Sequence, residues 1–411
     1  MVRSVWEERY AQRSGWMASS IIRDILKFAQ RSDIISLAGG WPDAALFPAK
    51  LFDEITHDVL TRDPGPALQY GVTEGYRPFR TVLAEQARAA GVNVDEDNIL
   101  VTSGAQQALD LVGRLLIDEG DTVLVEKPTY LGAIQAWRAY GARFAAVEID
   151  DSGLRTDLLE KTIQKHQPKL IYVLPNFHNP AGVTMTLERR KELVDLADRY
   201  SIAIVEDDPY GQLRYEGEHI PSILSLDAAR STPPGEKLTQ GNVIYASTFS
   251  KTLAPGLRLG WIIAPGDVAR KLVMAKQGAD LHSSALSQVI AYEFCKRGLL
   301  PAQVKRIRDT YRIRRDAMLE AMKEHFPPGV RWTVPQGGLF LWVMLPPGVD
   351  SVELLREALD EEKIAFVPGI AFFTDGSGQD TLRLTFASSP PEVVREGIRR
   401  LGQAITKRLS Q

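Results

Sequence analysis

The sequence predicts an α/β protein with two lobes, because short apolar runs recur along its middle and helix-like segments separate them. The runs are continuous rather than alternating, which is typical of strands buried on both faces of a mainly parallel sheet. Strands that alternate with helices predict right-handed crossovers between neighbouring strands. The apolar runs are residues 99–101, 122–125, 170–174, 202–205, 243–246 and 259–264.

The segments between the runs have the spacing of amphipathic helices. One of them begins after Gly104, with Ser103 placed as its N-cap, and residues 187–200 repeat the pattern. Ligands of such sheets bind beyond the carboxyl ends of the strands, so we expect functional residues directly after each run. The apolar residues of the first helix are Ala108, Leu111, Val112, Leu115 and Leu116.

The pattern changes from about residue 290. A charged helical region at 303–326 is followed by strand-like segments at 338–344 and 381–386, and the last alternates polar and apolar residues as a half-exposed antiparallel strand would. We therefore predict a large domain over 51–290 and a smaller α+β domain over 291–411, which the N-terminal residues 1–50 join.

Charge and composition exclude several classes of function. The 411 residues carry 49 Lys and Arg against 52 Asp and Glu, a net charge of -3, which gives no basic field for nucleic acid or an anionic membrane. The single cysteine excludes an intrachain disulfide. The charged N-terminus is not typical of a secretory signal, and no apolar run is long enough to span a bilayer. We expect a cytoplasmic protein with small-molecule partners.

Three strand ends carry residues that could bind a ligand or take part in a reaction. The small residues of 102–106 form a turn into a helix, which predicts either a phosphate site or only a capped helix start. The carboxylates of 206–208, followed by Tyr210, fit a solvated loop, part of a Mg²⁺ site, or a partner for a protonated heterocycle. We favour the heterocycle, because a second cluster of metal ligands and an HExxH pair are missing from the sequence, so we expect no metal.

The third strand end carries a lysine. Lys251 lies among small hydroxyl residues, with Arg258 seven positions on, which suits an amine that forms a Schiff base near an anchored phosphate. A lysine on a loop is usually only solvated. The surrounding residues are almost wholly uncharged, so burial would lower the pKa of this amine.

Four motifs in order resemble one enzyme family. The chain is similar to the fold type I pyridoxal-phosphate aminotransferases of class I/II, within them the group of 2-aminoadipate and kynurenine aminotransferases and the aminotransferase-like domain of MocR regulators. The similarity extends from residues 17–23 to 381–383. The motifs are Gln69-Tyr70-Gly71 with Gly75-Tyr76, residues 175–182 (PNFHNPAG), residues 206–210 (EDDPY), and Ser250-Lys251 with residues 255–258 (PGLR).

The resemblance implies the fold and the cofactor site. The fold would be a large domain with a mainly parallel seven-stranded sheet sandwiched by helices, plus a smaller α+β domain. Lys251 would hold pyridoxal 5'-phosphate and move the substrate proton. Asp207 would pair with the pyridine nitrogen, Tyr210 and Asn179 would bind the phenolic oxygen, and Tyr130 would stack on the ring.

The resemblance also implies how phosphate and substrate are held. Tyr70 would reach the phosphate of a neighbouring subunit, which predicts a homodimer. Arg383 would grip the substrate α-carboxylate in a bidentate fork with help from Asn176, although an outward-facing arginine on a two-faced strand is the simpler interpretation. Arg23 would meet a distal carboxylate near Gly39 and Gly40, or be an exposed helix arginine. The other phosphate ligands would be Ser103, Ala105, Gln106, Thr248, Ser250 and Arg258.

The predicted function is transfer of an amino group from an L-amino acid to a 2-oxo acid, with 2-oxoglutarate as the expected acceptor and a ping-pong mechanism. The donor stays open between 2-aminoadipate, aromatic, branched-chain and similar amino acids. A β-lyase or racemase on the same fold is the alternative. A ligand-sensing regulator is disfavoured, because the similarity begins near Met17 and leaves no room for a DNA-binding module.

Overall fold

A computed structural model describes residues 5–17 and 33–410. Its large sheet has seven main strands and a two-residue eighth strand. The strands are β2 (Ile99–Thr102), β3 (Thr122–Lys127), β4 (Arg143–Asp150), β5 (Gly153–Leu154), β6 (Leu170–Val173), β7 (Ala203–Asp207), β8 (Val243–Thr248) and β9 (Gly260–Ile263). They lie in the order β2-β9-β8-β7-β6-β3-β4-β5. The pairs β8-β7, β7-β6, β6-β3 and β3-β4 are parallel, whereas β9 is antiparallel to both of its neighbours.

Helices cover both faces of this sheet, so it is buried as the continuous apolar runs predict. The four residues of β2, of β6 and of β9 are all buried. The helices are α1 (Ala49–Arg62), α2 (Gly65–Leu68), α3 (Arg77–Ala89), α4 (Ala105–Leu116), α5 (Leu131–Arg138), α6 (Thr156–His166), α7 (Leu187–Tyr200), α8 (Ile223–Ser231), α9 (Gly266–Gln277) and α10 (Ala285–Lys296).

None of the apolar runs in the sequence predicts strand β4. Its eight residues alternate between buried, half-buried and exposed positions, because it lies near the edge of the sheet with only the short β5 beyond it. A strand of this kind lacks the continuous apolar run that marks the central strands.

The smaller lobe contains a four-stranded antiparallel sheet in the order β10 (Arg331–Trp332), β11 (Phe340–Met344), β14 (Thr381–Thr385) and β13 (Val367–Pro368). A separate parallel pair joins β1 (Ile35–Ser36) to β12 (Ile364–Ala365), so residues near position 35 pack with the C-terminal lobe. The other elements are α11 (Leu300–His325), α12 (Ser351–Glu357) and α13 (Pro391–Leu409).

Strand β14 corrects one expectation. It alternates polar and apolar residues, yet all five of its residues are buried. The polar side chains are satisfied inside the protein: Thr381 donates to the Gly378 carbonyl at 2.7 Å and Thr385 to the Leu339 carbonyl at 3.0 Å. Internal hydrogen bonding of this kind allows the polar face of a strand to be buried along with the apolar face. The prediction of a half-exposed strand is therefore wrong.

Among the described residues, no helix is both long and apolar enough to cross a membrane.

Candidate active site

A cavity of about 380 Å³ lies where the carboxyl ends of the large sheet meet the small lobe. This is the edge at which the sequence places its functional residues. Phe340, Phe372 and Arg383 close it from the small lobe, and Trp41 from the N-terminal segment. The predicted site residues that line the cavity are Gly40, Ala105, Gln106, Tyr130, Asn179, Asp207, Tyr210, Thr248, Ser250, Lys251, Arg258 and Arg383.

Lys251 follows β8 and extends into this cavity. Its Nζ donates a hydrogen bond to the Gly40 carbonyl at 2.8 Å. Burial lowers the pKa of the amine to about 8, with further lowering by the cations of Arg383 and Arg258. The predicted lowering of this pKa is confirmed. A substantial fraction of the amine is thus neutral, which is the nucleophilic form, at mildly alkaline pH.

Asp207 ends β7 and is 2% exposed. Its Oδ2 accepts a hydrogen bond from the Tyr172 hydroxyl at 2.8 Å, whereas Oδ1 is buried without a hydrogen-bond partner among the described residues. Burial raises the pKa of this carboxyl to about 7, although the Tyr172 hydrogen bond lowers it. An unpaired, buried carboxylate oxygen in a cavity wall fits a cationic N–H donor of a bound molecule.

The two carboxylates beside Asp207 have structural partners. Glu206 accepts the backbone N–H groups of Ile223 and Leu224, at 2.9 and 2.8 Å, at the start of α8. Asp208 accepts the Gly211 N–H at 2.8 Å and the Tyr245 hydroxyl at 3.1 Å. Within the part of the chain that the structure describes, no group of three or more His, Cys, Asp or Glu could hold a metal ion.

The start of α4 and the loop after β8 form a cradle for an anion. The backbone N–H groups of Ala105 and Gln106 belong to the first turn of a helix, where intrahelical acceptors are missing. Thr248 and Ser250 place hydroxyls 2.9 Å apart in the same wall. The guanidinium of Arg258 completes it and donates to the Ser103 carbonyl at 3.3 Å. Charge, hydroxyls and free N–H groups in this arrangement suit a phosphate.

Ser103 does not act as predicted. Gly104 is the N-cap of α4, with φ +83°, and having no side chain it makes no capping bond. The Ser103 hydroxyl instead donates to Asp280 at 3.0 Å and lies 3.1 Å from the Ser283 hydroxyl, outside the cavity wall. The N-cap prediction is wrong because a left-handed backbone, which glycine adopts without strain, is needed there.

Arg383 lies between the two lobes and is 4% exposed. Its Nη1 donates to Asn179 Oδ1 and its Nη2 to the Ala38 carbonyl, both at 2.9 Å. The guanidinium packs over Phe340 and Phe372, at 4.2 and 5.0 Å from the ring centroids. Burial lowers the pKa of Arg383 to about 10. The outward-facing interpretation is wrong, and this buried cation in a cavity wall fits a carboxylate ligand.

Tyr130 and Tyr210 add two phenol rings to the wall. Tyr210 packs its ring edge-on against Phe340 at 5.9 Å, and burial raises the pKa of both phenols. The Asn179 side chain lowers the pKa of Tyr210, against the effect of burial, and both residues line the cavity, so the predicted pair for a phenolic oxygen lies in one wall. Sequence reasoning misses Tyr172, Phe340 and Phe372, because apolar and aromatic residues of buried strands and turns give no local signal of function.

Three further predicted residues do not line the cavity, and a fourth is not among the described residues. The Asn176 amide is occupied by Arg190 at 2.7 Å and Asp208 at 3.0 Å, away from the cavity wall, so it cannot assist at a carboxylate beside Arg383. Gly39 packs against the Trp41 ring. Tyr70 is 80% exposed, with its ring edge-on to His282. Arg23 lies outside the described residues.

Comparison with known proteins agrees with this architecture. The family model for aminotransferase class I and II matches residues 32–401. An aromatic-amino-acid aminotransferase of Thermococcus litoralis is 44% identical over 99% of this chain and 96% of its own length.

Two solved structures are similar over 99% of this chain. The kynurenine aminotransferase of Pyrococcus horikoshii, in complex with PMP and kynurenine, is 40% identical over 99% of its length, with a TM-score of 0.92. The alpha-aminoadipate aminotransferase of Thermus thermophilus, complexed with a phosphopyridoxyl-leucine, is 40% identical over 100% of its length, with a TM-score of 0.90.

The fold is therefore that of the type I pyridoxal-phosphate aminotransferases. The chain belongs to the class I and II aminotransferase family, and it is similar to members that act on aromatic amino acids, kynurenine and 2-aminoadipate.

Proposed function

We propose that this aminotransferase uses pyridoxal 5'-phosphate to move the amino group of an aromatic, 2-aminoadipate-like or similar L-amino acid to a 2-oxo acid, with 2-oxoglutarate as acceptor and a ping-pong mechanism. One observation carries the proposal: a single cavity brings together the Lys251 amine, the unpaired Oδ1 of Asp207 and the buried guanidinium of Arg383. These groups match an aldehyde, a ring nitrogen and a carboxylate, respectively.

The cavity residues match both the pyridine nitrogen and the phosphate of the cofactor. Asp207 Oδ1 would accept the pyridine N–H and keep that nitrogen protonated. The first N–H groups of α4, the hydroxyls of Thr248 and Ser250, and Arg258 would hold the phosphate. Bound there, the cofactor supplies an electron-accepting ring that stabilises negative charge at the substrate Cα.

Residues of the chain itself would transfer the proton and bind the substrate. Lys251 Nζ would anchor the cofactor and, once displaced by the substrate amine, take the proton from the substrate Cα. Arg383 would bind the α-carboxylate through the guanidinium edge beside Asn179 and so orient the Cα–H bond toward Lys251. Phe340 and Phe372 flank this guanidinium and limit the access of water.

We also propose a homodimer in which Tyr70 contributes to the neighbouring subunit's phosphate site. Its support is the 80% exposure of a large aromatic side chain at a position where the family motif places a phosphate ligand. A symmetric dimer would bury this ring and bring it to the partner's cavity.

The experiment is a half-reaction measured spectroscopically. The purified enzyme, saturated with pyridoxal phosphate, is mixed with single amino acids, and the visible absorption of the bound cofactor is followed. We expect aromatic and 2-aminoadipate donors to bleach it in one turnover, and 2-oxoglutarate to restore it. Release of ammonia and an oxo acid without any acceptor would indicate a lyase instead, and loss of substrate chirality alone a racemase.

A further inference from the structure

A buried lysine outside the cavity is tied to the phosphate cradle. Lys276 lies near the end of α9 and is 0% exposed. Its Nζ donates to both carboxylate oxygens of Asp280, at 2.6 and 2.8 Å, and to Gln107 Oε1 at 2.8 Å. A buried ammonium group is costly unless its donors are paired, and here three acceptors surround it.

Asp280 and Gln107, the two partners of Lys276, also bind Ser103. Gln107 Oε1 accepts the Ser103 N–H at 2.7 Å, and Asp280 Oδ2 accepts the Ser103 hydroxyl at 3.0 Å and Gln107 Nε2 at 2.7 Å. The Ser103 carbonyl accepts from Arg258 at 3.3 Å. Every polar group of Ser103 is thus fixed. We call the four residues Lys276, Asp280, Gln107 and Ser103 the Lys276 network.

The position of Ser103 determines the geometry of the cradle. Ser103 directly precedes Gly104, and Gly104 sets the direction of the N–H groups of Ala105 and Gln106. A rotation of the Ser103 peptide would move these donors and the Arg258 contact together. Lys276 also neutralises Asp280, whose carboxylate would otherwise repel a phosphate dianion near the same turn.

A Lys–Asp pair four residues apart is common and usually contributes little when it is exposed, and Asp280 lies in the turn that follows α9. The chain contains a matched example: Lys305 and Asp309 on α11 lie 2.6 Å apart with side chains 77% and 49% exposed. Lys276 differs in its complete burial and in the contacts that lead from it to Ser103.

We propose that Lys276, acting through Asp280, Gln107 and Ser103, is a positioning residue for the phosphate of the cofactor. It does not line the cavity, so its effect is transmitted by the turn before α4. The inference rests on the proposed function, since it assumes that pyridoxal phosphate binds in the cavity.

The test compares two ligands that differ only in the phosphate. The 411-residue protein is freed of bound cofactor, and the dissociation constants of pyridoxal 5'-phosphate and of pyridoxal are measured by absorbance titration. The variants are Lys276→Met, Asp280→Asn and, as a smaller change, Ser103→Ala, with Lys305→Met as the matched control. Far-ultraviolet circular dichroism checks that each variant is folded.

We expect Lys276→Met to weaken binding of pyridoxal phosphate by about tenfold or more, the size of a lost charge-assisted hydrogen bond, and to leave pyridoxal unchanged. Ser103→Ala should weaken phosphate-dependent binding to a smaller extent, and this result decides the question if Lys276→Met does not fold. Lys305→Met should behave as wild type.

Two results would overturn the inference. One is equal weakening of both ligands, which indicates a merely structural role; the other is an unchanged ratio of the two constants in all three network variants. Failure of the wild-type protein to bind pyridoxal phosphate would refute the proposed function instead, so the two failures are distinguishable.

Discussion

At the scale of single residues, two neighbouring carboxylates on one strand differ in their hydrogen-bond partners. Glu206 is fully buried, but both of its oxygens accept backbone N–H groups from the start of α8. Asp207 is as deeply buried and keeps one oxygen without a partner among the described residues. Sequence alone does not separate them. The structure does, because burial of an unpaired acceptor is costly and indicates a ligand that supplies the donor.

This arrangement predicts how stability depends on pH. Without cofactor, burial raises the pKa of Asp207 from 3.8 to about 7. Between these values the folded chain binds the proton more tightly than the unfolded chain, so the free energy of unfolding falls as the pH rises. A cationic ring nitrogen beside Oδ1 removes that loss. Pyridoxal phosphate should therefore raise the Tm more at about pH 8 than at about pH 5.5, measured by thermal denaturation.

The matched control for this prediction is Asp207→Asn, which keeps the shape and cannot titrate. Lys251 also favours cofactor binding at higher pH, because its neutral amine is the reactive form, so some pH dependence remains in the variant. The part that belongs to Asp207 is the difference between wild type and variant. Identical pH dependence in the two proteins would show that Asp207 does not face the cofactor.

The proposed role of Arg383 in binding the substrate carboxylate can be tested separately from cofactor binding. Arg383→Lys keeps the positive charge but loses the planar fork that contacts Asn179 and Ala38 and that would bind the substrate carboxylate. We expect the KM for the amino donor to rise roughly 10- to 100-fold, with the affinity for pyridoxal phosphate unchanged. Steady-state kinetics and a cofactor titration measure the two effects. An unchanged KM would place the substrate carboxylate elsewhere.

At the scale of elements, the start of α4 is the feature on which phosphate binding depends most. A Cβ at Gly104 would lie 2.5 Å from Arg258 Nη2, and φ is +83°. Gly120 has φ +90° with nothing within 4 Å of a built Cβ. Gly120→Ala should lower the free energy of unfolding by about 1 kcal/mol from backbone strain. Gly104→Ala should lower it by about 1–3 kcal/mol, because φ +83° with ψ 169° is almost confined to glycine; denaturant titration without cofactor measures both.

Only one of these two variants should affect the cofactor. Gly104→Ala displaces Arg258 from the cradle, so pyridoxal phosphate should bind more weakly, whereas Gly120→Ala should bind it as wild type does. Equal cofactor affinity in the two variants would show that the first turn of α4 is not the phosphate site.

The helices and strands also show how much of the fold can be predicted from the sequence. Helix α7 has the predicted bounds, Leu187–Tyr200, because its apolar spacing and its N-cap Thr186 agree. The six apolar runs all become strands of the large sheet. The sequence pattern misses β4 and predicts β14 as half-exposed, since the solvent exposure of both strands depends on neighbours that are distant in sequence.

The charged residues of the candidate site can be predicted from the sequence, whereas its packing cannot. Lysine, aspartate and arginine are seldom buried at strand ends unless a partner or a ligand compensates their charge. In contrast, Asn176 and Asn179 are equivalent in the motif, and only the contacts of Arg190 and Asp208 show that Asn176 is occupied elsewhere. Phe372 lies in the small lobe, far along the chain from the residues it faces, so no local pattern could indicate it.

At the scale of the whole molecule, the cavity exists only because two lobes meet. Lys251 comes from the large sheet and Arg383 from the small one, and the carbonyl of Gly40 contacts the lysine from the N-terminal segment. Groups that are proposed to act on one substrate molecule are thus held by separate elements, and their relative position depends on the packing of the lobes.

The proposed dimer extends this sharing to a second copy. Lys251→Ala and Tyr70→Ala proteins should each have little activity. Unfolding them together and refolding at equal concentrations should recover about a quarter of the wild-type activity, because half of the dimers are mixed and each has one intact site. The specific activity of the mixture measures this. Absence of any recovery would mean that Tyr70 acts within its own chain, and an active Tyr70→Ala protein would mean that Tyr70 has no part in the site.

The most direct test of the proposed function is to trap the bond between the lysine and the cofactor. The protein is incubated with pyridoxal phosphate, reduced with borohydride, digested and examined by mass spectrometry. We predict one phosphopyridoxyl group on Lys251, absent from Lys251→Ala, together with loss of transaminase activity. A protein that gains no mass on reduction, or gains it on other lysines while remaining active, would contradict this role of Lys251 and the function built on it.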